Sequence, residues 1–162
     1  MKRLFPSRMV GFAVAMALLG AAAALPQDTG SVPGGDEDPA LYAVGTLGVS
    51  NLYSSYVVLA TVADGYASTS YDEATARDLA EESIALHRSS VEALGRLLER
   101  NAVSEGDRSI VQDMVEAHEL LIRQAQGLLS YIDDPESSEE FQRYRQAAWE
   151  KIAAILEDNP PQ

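Results

Sequence analysis

From residue 39 to residue 157 the chain is a succession of long segments separated by three short polar breaks, and this punctuation restricts the fold most. Each of the four segments opens on helix-start chemistry. Asp38-Pro39 and Asp134-Pro135 set a capping side chain before a proline that suits the first helical turn. Ser70 and Glu73 have the spacing of a capping box, and Ser104 with Glu105 and Asp107 places a cap and early acids where the helix dipole favours them. No Asn-Gly hairpin and no sustained period-2 alternation occurs. The expected helices cover 39–66, 71–100, 105–132 and 135–157. Connections this short force neighbours to run in opposite directions, so an all-α, antiparallel up-down-up-down four-helix bundle is expected.

The apolar spacing agrees. Ala80, Ile84, Val91, Leu94 and Leu98 form a stripe in the second segment. Val111, Met114, Leu121, Ala125, Leu128 and Ile132 do so in the third, and Phe141, Ala148, Ile152 and Ile155 in the fourth. Steps of three and four are the signature of a bundle seam.

The ends read differently. Lys2, Arg3 and Arg8 precede the uncharged apolar run from Met9 to Ala24, which is short for a membrane span and suited to a signal peptide, with an A-x-A site at Ala22 and Ala24. Residues 1–24 are therefore expected to be a signal peptide, 25–38 (LPQDTGSVPGGDED) a disordered linker and 158–162 a disordered tail. An uncleaved leader would instead act as a membrane anchor. The formal net charge is −13, and removing residues 1–24 with their three cations leaves −13 − 3 = −16. So acidic a chain does not suit nucleic acid, whose phosphates need a basic footprint. With no cysteine the chain lacks a disulfide framework, thiolate metal sites and a thiol nucleophile.

The first helical segment has no charge from Ala40 to Ala63. Three explanations compete: the most enclosed helix of the bundle, a face for self-association, or a membrane segment. Ser50, Asn51, Ser54, Ser55, Tyr53 and Tyr56 are poor lipid contacts.

The candidate site is a polar layer on the seams. His87 continues the series 80, 84, 91, 94, and His118 the series 111, 114, 121, 125. Their mean, 102.5, is the centre of the Asn101–Ser104 turn, so both imidazoles are expected at one level. Folding the first helix back about residue 68.5 brings Ser50 and Asn51 to that level. Asn51, His87 and His118 are thus expected to form a buried polar layer that fixes register. Alternatively they form a ligand site, with His87, His118 and the Met114 thioether holding a metal such as copper, or the two imidazoles holding the iron of haem b. In topology alone the chain resembles the exported b-type cytochromes of four-helix architecture. No Glu-x-x-His pair of the di-iron kind is present: Ile84 and Val115 stand three residues before the histidines. No EF-hand spacing, phosphate loop or nucleophile elbow is found either.

The sequence therefore points to an exported acidic bundle without catalytic groups, a scaffold or interaction module of the cell envelope or extracellular space. A small haem- or metal-binding bundle and a membrane-apposed protein are the alternatives.

Overall fold

A computed structural model describes residues 39–158. The expected signal peptide, linker and Asp38 cap, and nearly all of the expected tail, lie outside the described residues. Those described form four α-helices and no strand: α1 (Pro39–Ala67), α2 (Glu73–Glu99), α3 (Arg108–Asp133) and α4 (Ser138–Asp158). A single 3-10 turn (Pro135–Ser137) precedes α4.

Local chemistry decides the boundaries. α2 starts two residues later than expected because Asp72, not Ser70, is its cap: the Thr75 amide donates to Asp72 Oδ1 at 2.8 Å. The Ser70 hydroxyl is instead within 3.0 Å of that of Ser68. Asn101 ends α2 in a left-handed conformation with φ 49°, a position asparagine tolerates better than most residues. The Ser104 hydroxyl accepts from the Asp107 amide and bonds the Asp107 carboxylate, so the turn is consumed before α3 begins at Arg108. At the third break Asp134 Oδ1 accepts from the Glu136 amide at 3.0 Å, as the Asp-Pro pair leads one to expect.

The enclosed helix is α3, not α1. Both α1 and α3 pack against all three other helices, while α2 and α4 do not touch each other, but α3 buries ten described residues on several sides and α1 buries one inward stripe. The cause is residue size: Ala117, Ala125 and Gly127 let neighbours approach closely, while Val111, Met114, Leu121, Leu128 and Ile132 fill the space between. The Gly127 position is filled on its open side by the Phe141 backbone, which bridges α3 to the start of α4.

α1 buries one stripe only. Val49, Leu52, Leu59, Val62 and Ala63 face inward with the three-and-four spacing of a seam. Gly48 belongs to this side and admits the Met114 side chain of α3. The opposite side is open: Leu47 is 70% exposed, Val58 53%, Tyr53 46% and Val57 41%. No helix among the described residues is long and apolar enough to cross a membrane.

Charge pairs tie the helices at their edges. Lys151 on α4 reaches Asp113 (2.7 Å) and Glu116 (2.5 Å) on α3, and these carboxylates hold its ammonium above the ordinary lysine range. Arg77 on α2 reaches Asp133 at 2.6 Å. At the α1–α2 turn the Tyr71 ring lies on Gly65. Tyr66 turns towards α3, making an edge-on contact with Tyr131 at 5.8 Å. The two tyrosines that flank this turn therefore hold it to different helices.

Candidate functional site

The two histidines meet. His87 on α2 and His118 on α3 are 0% and 3% exposed, with Nδ1 to Nδ1 at 2.9 Å and ring centroids 5.1 Å apart. Their neighbours along the two seams, Ile84, Leu94, Met114 and Leu121, all belong to the main apolar cluster. One Nδ1 must carry hydrogen and donate to the bare Nδ1 of the other. His87 Nε2 is buried without a partner. A buried orphan N–H is rarer than an unpaired acceptor, so we assign the donating hydrogen to His87 Nδ1. That tautomer leaves a lone pair, not an N–H, at His87 Nε2.

Burial sets the electrostatics. Desolvation pushes both imidazoles down to about 4, and His118 is lowered further by His87. Both are neutral at pH 7. Neutral, enclosed imidazoles bonded to each other present no accessible acid or base to a substrate.

The expected third member of the layer is not there: Asn51 is exposed on the outer side of α1. It is rotated away from the interior, and Leu52 takes the inward position beside it. The buried amide is instead Gln124 on α3, 0% exposed, with neither Oε1 nor Nε2 hydrogen-bonded. The seven-residue step from the buried Ala117 was the available signal for it.

The ligand alternative meets a geometric obstacle. Two imidazole nitrogens on one metal ion at about 2.0–2.1 Å stand about 3.3 Å apart in tetrahedral geometry, and about 4 Å apart across a haem iron. A separation of 2.9 Å fits a direct hydrogen bond and leaves no room for either between the Nδ1 atoms. The Met114 side chain points at Gly48 on α1, where its Cε fills the space that a Cβ would take. Among the described residues no group of three or more His, Asp or Glu side chains is arranged to hold a metal ion.

A second feature lies on the surface. The exposed positions of α1 from Ala43 to Thr61 are all uncharged, whereas Glu, Asp and Arg punctuate the exposed positions of α2, α3 and α4. Tyr53 carries this face onto α4, its ring 6.5 Å from that of Trp149, which is itself 38% exposed. Tyr56 packs on the same indole at 5.4 Å. Comparison of the chain with protein-family models, with curated proteins and with solved structures finds no match.

Proposed function

We propose that this chain is an exported, acidic, antiparallel up-down-up-down bundle that acts as a non-enzymatic interaction module of the cell envelope or extracellular space. Its contact surface is the outer face of α1. Export is supported by the basic start, the apolar run 9–24 and the small residues at Ala22 and Ala24. Alternating direction is supported by the pairs that meet across successive breaks: Gly65 of α1 with Tyr71 of the first turn, His87 with His118, and Asp113 with Lys151.

The observation that carries the functional reading is the uncharged outer face. Core packing accounts for the inward stripe of α1 and for nothing on the other side. Exposed leucine, valine and tyrosine next to a half-exposed tryptophan have the composition of an interface core: aromatic, and depleted in charge.

A photoreactive amino acid placed at Leu47, Ser54 or Val58 in the producing cells tests this. Each is expected to yield a discrete adduct, while the same probe at the exposed Glu82 of α2 yields none. Absence of adducts from all three α1 positions would remove the interaction reading.

A further inference from the structure

We infer that the partner on α1 is a second copy of this chain, its α1 packed antiparallel across a two-fold axis beside Ser54. The inference rests on the interaction reading above and names the occupant of that surface.

Charge narrows the candidates. Each copy carries −13, or −16 without residues 1–24, so two copies repel over most of their surfaces. The outer face of α1 is where they meet without opposing carboxylates. A basic partner would be drawn to the acidic faces of the other helices instead. A lipid surface would meet Ser50, Asn51, Ser54 and Thr61, which are poor lipid contacts.

Shape favours self-pairing. A two-fold contact is isologous, so position i on one helix faces position j on the other and j faces i. With the axis beside Ser54, facing positions have numbers that sum to 108. Leu47 then faces Thr61, Ser50 faces Val58, Asn51 faces Val57, and Ser54 faces itself. Each of the first three pairs sets a larger apolar side chain against a smaller or polar one, the alternation that lets two helices interdigitate. The small side chains of Ser50 and Ser54, one turn apart, let the backbones approach, and the two Ser54 hydroxyls can donate and accept across the axis. Tyr53 and Trp149 extend the contact at its flank.

Because the chain has no cysteine, an introduced thiol is unique. On mild oxidation of the full mature protein, Ser54→Cys is expected to give a disulfide-linked dimer, and Glu82→Cys is not. A mixture of Ser50→Cys and Val58→Cys chains is expected to cross-link to each other in preference to themselves. By sedimentation the unmodified chain is expected to be a dimer at about 100 µM, and Ser54→Arg, which opposes two cations at the axis, to weaken it by about 100-fold with unchanged circular dichroism. A monomer at that concentration overturns the proposal, as does a dimer in which Ser54→Cys does not cross-link. Photo-adducts to a different protein, with the chain itself monomeric, leave the interaction reading standing and sink the second copy alone.

Discussion

Acidification from pH 6.5 towards pH 4 is expected to weaken the bundle by several kcal/mol, through His87 and His118. The unfolded imidazoles titrate near 6.5 and the folded ones near 4. The folded values are depressed, so the contribution is fully present above 6.5 and is lost as pH falls towards 4, where the unfolded chain takes up protons that the folded one refuses. Each histidine contributes about 1.4 kcal/mol per pH unit inside that window. Two together give nearly 3 kcal/mol per unit, against a total stability of about 5–15 kcal/mol for an ordinary domain. The steps differ in kind. The first proton goes to the bare Nε2 of His87 and leaves the Nδ1–H···Nδ1 bond standing, but creates a buried charge. The second places hydrogen on both Nδ1 atoms, so the bond is lost and two cations are left side by side in the apolar interior. Neutralising an excess of carboxylates relieves repulsion over the same range and works in the opposite direction, so a control is needed. Urea unfolding of the natural chain and of the double variant His87→Leu/His118→Leu, at pH 7, 6, 5 and 4.5, separates the two contributions. The natural chain is expected to weaken steeply below 6.5 and the double variant to show little of that slope. Parallel curves for the two proteins, or imidazole resonances that titrate near 6.5 in the folded state, would contradict the assignment.

The histidine pair was legible in the sequence, and Asn51 was not, for a reason that lies in what a turn specifies. A short turn fixes which residues of two helices share a height. The Asn101–Ser104 turn therefore placed 87 beside 118, and the Gly65–Tyr71 contact sums to 136, within a residue of what folding about 68.5 requires. Rotation about a helix axis has to come from periodicity instead. α2 and α3 have it, because glutamate and arginine mark their outer faces. α1 has leucine, valine and tyrosine on both sides and no charge to mark either, so its inward stripe was decided by partners on other helices, among them Met114 seeking the gap at Gly48. The same ambiguity made α1 look like the enclosed helix. That role falls to α3, whose alanines and glycine admit neighbours on several sides; small residues read as weak core signals in a pattern search and as strong ones in close packing. Gln124 shows the opposite ambiguity, since a glutamine beside a seam has the pattern of a solvated residue. The Ser70 cap failed because two capping residues lay two positions apart, and Ser70 had a hydroxyl neighbour at Ser68 to satisfy it.

Close packing of α3 also sets the largest expected single-substitution effect. An alanine Cβ at Gly127 would lie 2.8 Å from Phe141 Cα, 2.9 Å from Phe141 N and 3.2 Å from the carbonyl carbon of Glu140. These are backbone atoms at the start of α4, so relief requires moving that helix, and Phe141 is the largest fully buried side chain of the bundle. Overpacking of this kind costs about 1–3 kcal/mol, partly offset by the roughly 1 kcal/mol that alanine gains over glycine inside a helix. Gly127→Ala is therefore expected to destabilise by up to about 2 kcal/mol, and Gly127→Val, with two more methyl groups and a stiff χ1, by about 3 kcal/mol or more. Gly95 supplies the control. It sits inside α2 with nothing within 4 Å of where a Cβ would stand, so Gly95→Ala keeps the propensity gain without the clash and is expected to stabilise by about 0.5–1 kcal/mol. The same chemical change should thus have opposite signs at two helical glycines of one chain, read as shifts of the urea midpoint at constant slope. Stabilisation at both sites would mean that α3 and α4 approach less closely at Gly127 than described, and the support for the first turn of α4 would have to come from the Asp134 cap alone.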